Sequence, residues 1–540
     1  MVNHPEKEAS SLNRHVLTTA LALILSYCVA CASTRTSPAP LTERPKPRGD
    51  ARIVYVSDAA SDTRSILTQS PTADQLRGYI NTLADNGVDI FAHDIFQKQG
   101  VTWFEPEHPD HAHLETPVDG IPAEDGPPIA IAIEQVHKRG MKFLAAFRMA
   151  DRHGGQGAGL IKQRPDLWNP EFGDLAAMDW THDDLRDWMF ALVDEILRRF
   201  DVDGFEFTYT RWMHCFPTKM ARESHPIMTQ FLRRVRTRLD EASKQKGRKL
   251  MLGVRVPQTL EECDALGYDV ATWAREGLVD YLAPCDFFFT DFNTTYEDFA
   301  AITRGSDCML YPAVHPPMST LAKQSIMTSA NYRAAARNMY AAGADGISQF
   351  NYQYHWGRRR SNYPYPPAGY PQALTWLRHL RNDGRYDELP RHYLFYPLWG
   401  TGASQSGFVK NDRIVLKREV GSNGEYRFRI AEDLTTSGLA AELIVIAVSA
   451  DNDRLAFSLN GTPLPAGPIK AKRQGKGRPD NYGRKLAPYW AYMIPLSAPP
   501  AVFGDNILRA EVTELDARGE GDIHVEELEV TIVPRWEGSR

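Results

Sequence analysis

The sequence predicts a (β/α)₈ barrel followed by a β-sandwich, and three observations carry that prediction. Between residues 51 and 388, eight short strands rich in Val, Ile, Phe and Tyr alternate with amphipathic helices. Several of these strands follow directly on a glycine suited to ending a helix, as in Asn86-Gly87-Val88-Asp89, Arg139-Gly140-Met141-Lys142, Gly277-Leu278-Val279-Asp280 and Gly343-Ala344-Asp345-Gly346. Beyond about residue 390 the helical period stops, and residues 389–540 carry alternating or β-branched runs separated by turn signals.

The N-terminal residues 1–32 read as an export signal. Lys7 and Arg14 precede the apolar run Val16 to Val29, which is too short to span a bilayer. Two ways of processing stay open. Ala30-Cys31-Ala32 fits the small-x-small rule of ordinary secretion. Val29-Ala30-Cys31 fits a lipoprotein box with Cys31 lipidated, although Cys28 stands where Leu is usual. Either implies a protein of the periplasm or cell surface, touching membrane only through such an anchor. Residues 33–50, rich in Pro, Thr and charge, read as a flexible linker.

The strands are expected at Ile53–Ser57, Ile90–Asp94, Phe143–Met149, Gly204–Thr208, Met251–Val256, Tyr281–Phe287, Met309–Val314 and Gly346–Asn351. They lack the strict alternation of a half-wet antiparallel sheet, which favours parallel strands covered on both faces. The clearest helix is Asp183 to Phe200, where Leu185, Trp188, Met189, Leu192, Val193, Ile196 and Leu197 make one apolar face, with Thr181 and Asp184 as a capping pair. Tyr332 to Ala342 follows the same logic and ends at Gly343. An open doubly wound sheet would carry a Gly-rich turn after its first strand, and Val56-Ser57-Asp58-Ala59-Ala60 has none. In the C-terminal part, Tyr426–Ile430, Glu442–Val448, Ile507–Val512 and Leu528–Val533 are the strand runs.

Composition is ordinary for a soluble globular chain of 540 residues, with 43% hydrophobic and 24% charged residues and a net charge of -6. Nothing in that balance points to nucleic acid. Past the signal, Cys215, Cys263, Cys285 and Cys308 lack the spacing of a zinc site; an exported protein could pair two of them in a disulfide that the sequence does not specify, and buried free thiols are the simpler reading. His108, His111 and His113 lie in a Pro- and Glu-rich loop without ligand spacing and read as solvated. No metal or organic cofactor is called for.

In such barrels the reacting groups stand at the C-terminal ends of the strands. The residues there are Asp58, then His93 and Asp94, then Arg148, then Glu206, Tyr209, Arg211 and His214, then Arg255, Asp286, His315, and finally Gln349, Asn351, Tyr354 and Trp356. Cleaving a glycosidic bond needs two carboxyl groups flanking it. Glu206 interrupts an otherwise apolar strand, which a buried charge does only for a reason. That reason is either catalysis or an ion pair with Arg211 or Arg255. Asp286, closing the sixth strand, is the second candidate. Aromatic residues suit sugar faces, and the arginines, among them Arg148, Arg152, Arg211 and Arg255, suit the carboxylate or sulfate of an anionic polysaccharide or oligosaccharide.

The segment Asp203-Gly204-Phe205-Glu206-Phe207-Thr208-Tyr209-Thr210-Arg211 resembles the fourth-strand motif of the glycosyl-hydrolase-like barrel proteins called family 10-like. Asp179-Trp180-Thr181 and Gly343-Ala344-Asp345-Gly346-Ile347 are similar to that family too, and the resemblance spans residues 50 to 385. It implies a glycoside hydrolase, here with Glu206 and Asp286 as the acid/base pair and the other strand-end residues positioning substrate. Thr208 stands where many members carry an acid, which keeps open a glycan-binding barrel without catalysis. A lyase using Tyr209 or His214 as base is the third reading.

Overall fold

The computed structural model describes residues 46–535, apart from 59–61, 63–65, 68–69, 98–100, 114–116, 151–158, 170, 172–177, 211–212, 287–289, 320–323, 357–368, 396–397, 400–409, 437, 466–468 and 474–488. Cys31, the signal and most of the linker fall outside these residues. The described residues belong to one compact unit by contact.

The barrel strands are β1 (Ile53–Ser57), β2 (Ile90–Gln97), β3 (Lys142–Arg148), β4 (Gly204–Thr208), β5 (Met251–Val256), β6 (Tyr281–Pro284), β7 and β8 (Ile347–Gln349). All neighbours pair in parallel, and β8 returns to β1. Closure runs through β7, which is interrupted. Its first part, Met309–Leu310, pairs with β6, and its second, Ala313–Val314, pairs with β8. Pro312 sits in the gap, where it lacks the N–H a continuous ladder needs. Tyr311 N donating to Leu282 O and Ser348 N donating to Pro312 O carry the sheet across. The sixth strand is shorter than expected, ending at Pro284.

Helices α1 (Ala73–Asp85), α2 (Pro128–Lys138), α3 (Asp183–Arg199), α4 (His225–Lys246), α5 (Leu260–Ala265), α6 (Val270–Arg275), α7 (Glu297–Thr303) and α8 (Ser329–Ala341) cover the outside. Gly87, Gly140, Gly277 and Gly343 all take positive φ, as the helix-to-strand turns require. The expected cap of α3 is corrected: His182 is its N-cap and caps without its side chain, while Thr181 donates through both N and Oγ1 to Asp179 Oδ1.

At the N-terminal rim one device recurs four times. The Asp before each even strand accepts an N–H from the odd strand before it. Asp89 takes Ile53 N, Asp203 takes Phe143 N, Asp280 takes Leu252 N and Asp345 takes Leu310 N, at 3.0, 2.8, 2.8 and 2.9 Å. Each also holds an arginine: Arg381, Arg248, Arg236 and Arg48 in turn. The Asp-Gly that opens the β4 motif is therefore a rim clamp. Arg48, inside the stretch expected to be flexible, is docked by Asp345 and by the carbonyls of Thr303, Ser306 and Cys308.

The C-terminal part holds two packed antiparallel sheets, besides a two-stranded pair of Leu398–Trp399 with Lys410–Asn411, among the described residues. One runs β9 (Arg391–Phe395), β16 (Ile523–Pro534), β12 (Leu439–Val448), β14 (Tyr489–Leu496), with β10 (Ile414–Leu416) also on β16. The other runs β11 (Asn423–Ile430), β15 (Gly504–Glu514), β13 (Arg454–Leu459). Phe395 meets Phe428, and Phe457 meets Tyr492, across the interface at 5.3 and 5.2 Å. Helix α8 was expected to show one apolar face. Instead Asn331 to Ala341 are buried all round, because the helix lies between the barrel and this sandwich. Asn338 Nδ2 donates to Phe292 O on one side and Arg429 O on the other.

Candidate functional site

Strand alternation decides which of the expected residues reach the barrel axis. Val54, Val56, Ala92, Leu144, Ala146, Tyr281, Ala283, Cys285, Ala313 and Phe350 form the interior cluster. Two residues on from Ala92, Ala146 and Gly204 the same face carries Asp94, Arg148 and Glu206, then Thr208. Gly253 puts Arg255 there in the same way.

Three expected mouth residues face the opposite way. His93 stacks on Phe91 at 5.3 Å and lines a small cavity with Leu76, Tyr79, Trp103 and Ile129 under the helices. Burial lowers its pKa to about 4, so it stays neutral. Tyr209 packs on Tyr268 and Trp273 and donates to Met228 Sδ. Gln349 stands level with Tyr55 and Val314, residues of the outer core. Trp356 likewise packs into the wall against Tyr352 and Tyr370. For His93, Tyr209 and Gln349 the cause is the two-residue period of the strand, which sends adjacent side chains to opposite faces, whereas Trp356 follows the turn Tyr352–His355 beyond β8. His111 corrects another expectation: it is buried and stacked on Trp188 at 4.7 Å.

The interior polar groups form three clusters. At the ends of β1 to β3, Arg148 Nη2 lies 3.0 Å from Asp58 Oδ2 and 2.7 Å from Asp94 Oδ2, and its Nε donates to Asp94. Around β4 to β6, Glu206 Oε1 accepts from Arg255 Nε and Nη2 at 3.2 and 3.0 Å, and Oε2 accepts from Tyr281 OH at 2.5 Å. Arg255 Nη2 also donates to Ser348 Oγ at 2.6 Å. Both members of this pair are 0% exposed. Gly253 makes it possible, since a Cβ there would lie 1.9 Å from the Tyr281 ring. Glu206 was expected in the open mouth. It lies inside the barrel with both oxygens engaged, in the ion pair with Arg255 that was the alternative. Beside it, Cys285 Sγ stands 3.0 Å from His315 Nε2, and the His315 ring meets Phe350 edge-on. Burial pushes the Cys285 thiol up to about 12.

Asp286 is buried directly after Cys285, whose thiol lies 2.7 Å from the Asp286 carbonyl. Asn351 takes φ 56° and is buried, Tyr354 is buried in the turn that follows, and His214 is half-buried after β4. Arg211 lies outside the described residues. All four expected thiols are free and buried.

One acid escaped sequence reading. Asp62 is fully buried, with its N–H on Asp58 O, and its Oδ2 accepts from Tyr79 OH at 2.9 Å and Tyr55 OH at 3.3 Å. Burial is the main cause that raises its pKa to about 8. Only the spacing from Asp58 could have signalled it, and Ala59-Ala60-Ser61 gives no pattern.

No family model matches the sequence, and no curated protein is significantly similar to it. Solved structures match at low identity. Eubacterium rectale Amy13B matches at 9% identity and TM-score 0.41, covering 87% of this chain and 97% of that one. The α-amylase of Geobacillus thermoleovorans complexed with acarbose matches at 10% and 0.39, covering 90% and 98%. A Paenibacillus sp. cycloisomaltooligosaccharide glucanotransferase complexed with cycloisomaltoheptaose matches at 11% and 0.31 over 88% of this chain, which spans 57% of that protein's length.

Proposed function

We propose that this chain is an exported glycoside hydrolase that holds an oligosaccharide or polysaccharide in the mouth of its barrel. The composition of the upper interior supports this reading most. Asp58, Asp94, Arg148, Thr208, Arg255 and His315 take positions that a barrel built only for packing fills with Val, Ile and Leu. A polar interior of this kind costs stability, and at the C-terminal ends of strands its use is a polar ligand. In this reading Asp286 is the reacting acid and Asp94, steadied by Arg148, its carboxylate partner on the far side of the barrel. Glu206 braces the floor beneath them through Arg255 and Tyr281.

A specific observation favours a second reading, glycan binding without turnover: the strand-four acid is locked in an ion pair, and Thr208 ends the strand. The lyase reading loses Tyr209, which faces the helices. The test is reducing-end release from neutral, sulfated and uronic polysaccharides by the native chain, Asp286→Asn and Asp94→Asn. A general acid contributes about 10²–10⁴-fold, so either substitution lowers turnover by at least about a hundredfold while binding persists. Native chain that binds without releasing reducing ends establishes the second reading instead.

A further inference from the structure

Asp58 and Asp62 both follow β1, and the N–H of Asp62 donates to the Asp58 carbonyl at 2.8 Å. Asp58 turns to the mouth, where its carboxylate lies 3.0 Å from Arg148 Nη2. Asp62 turns into the wall and is 0% exposed. The groups around its carboxyl come from three elements. Ser57 and Tyr55 belong to β1, Tyr79 to α1, and Tyr352, whose ring meets that of Tyr55 at 6.1 Å, follows β8. All of them are hydroxyls, and among the described residues no cation meets this carboxyl. Burial keeps the phenols of Tyr55, Tyr79 and Tyr352 neutral.

A carboxyl enclosed in this way favours its protonated form. Burial raises its pKa most, the Ser57 hydroxyl opposes that, and the Asp58 charge adds to it, which leaves the group at about 8. Ionisation puts a third carboxylate beside a cluster in which Arg148 already answers two, Asp58 and Asp94, with one charge. His93, which also lies near Asp58, is neutral with a pKa of about 4 and offers no compensation. Like charges this close disfavour each other. Asp62 is walled in, so the group that yields is Asp58, at the edge of the mouth.

We propose that Asp62 is a positioning residue for the acids of the mouth: neutral, it lets Asp58 rest on Arg148, and ionised, it drives Asp58 off and disturbs the Arg148–Asp94 pair, so that the site fails in alkaline solution. This rests on the reading of the mouth as a glycan site and deepens it with a built-in alkaline limit.

The experiment follows the full chain, native and Asp62→Asn, from about pH 6 to pH 10 on a polysaccharide of the panel that the native chain binds or cleaves. Above the midpoint the neutral fraction falls about tenfold per pH unit. Native turnover, or affinity where there is no turnover, therefore falls at least tenfold by about pH 9.5. Asp62→Asn, neutral at every pH, keeps the native level past that point. A native profile that stays flat, or a variant that falls with it, overturns the proposal. The same coupling reads without any glycan. Infrared difference spectra follow the protonated-carboxyl band that Asp62→Asn lacks, and Asp58→Asn lowers the pH at which the native band disappears, since coupling between two sites is reciprocal. A band that disappears at an unchanged pH in Asp58→Asn overturns the proposal as well. If the band behaves as expected while no polysaccharide binds, the glycan reading falls and the coupling of Asp62 to Asp58 stands. The native band and Asp58→Asn decide the matter should Asp62→Asn not fold.

Discussion

Asp62 and Glu206 are buried acids with opposite surroundings. Asp62 has tyrosine hydroxyls but no cation among the described residues, and its raised pKa of about 8 means the native state holds a proton that the unfolded chain releases above about pH 4. Across that window the unfolded state binds fewer protons, so stability falls as pH rises, by at most about 1.4 kcal/mol per pH unit. Full stability from this group is present below about pH 4 and lost as pH passes the folded value. Urea unfolding from pH 5 to 8 measures it: Asp62→Asn flattens the slope, and an unchanged slope contradicts the assignment. Glu206 faces Arg255, so removing its charge leaves a buried cation uncompensated. Glu206→Gln is expected to cost about 3–5 kcal/mol in urea unfolding. A purely catalytic glutamate would leave stability unchanged or raised on the same substitution. The sequence made Glu206 conspicuous by its apolar neighbours and offered Arg255 as one partner. It left open whether the pair or the chemistry explains the charge, because the depth of a side chain along the barrel axis depends on strand tilt and register.

Elements were legible where one period governs them. All eight barrel strands sit where buried β-rich runs precede turns, and the Gly-ended helices follow the backbone demand at each turn. The misses arise where a neighbour overrides the local pattern. Pro312 splits β7, and α8 loses its wet face because the sandwich covers it. Asn338 is the joint: Nδ2 meets Phe292 O and Arg429 O, and Oδ1 accepts from Ala431 N. Asn338→Ala removes all three and leaves buried partners unmet, an expected loss of about 2–4 kcal/mol at roughly 1 kcal/mol or more for each bond. Urea unfolding reads it, and a loss below about 0.5 kcal/mol would show that the barrel and sandwich pack without this link. The four aspartate clamps explain the Asp-Gly and Gly-x-Asp signatures at strand starts as rim construction, which is why that motif marks the fold more firmly than it marks chemistry.

For the whole molecule, the two rims divide the work. The N-terminal rim is closed by repeated Asp–Arg clamps and supports stability. The C-terminal end gathers Asp58, Asp94, Arg148, Thr208, Arg255 and His315, and there the sequence placed the site by the general geometry of barrels. Of the residues named for it, Asp58, Asp94, Arg148, Arg255 and His315 face that interior, while His93, Tyr209 and Gln349 turn into the wall by strand phase and Trp356 packs there after the turn beyond β8. A one-residue uncertainty in strand phase is enough to exchange these groups, and side-chain phase is what a short apolar run encodes least. The most direct measurement is a crystal structure of Asp286→Asn with an acidic oligosaccharide bound. The account predicts a sugar ring in the mouth between Asp94 and Asp286, beside Arg148. A saccharide held on the sandwich alone, with the mouth closed over Arg255, would contradict it.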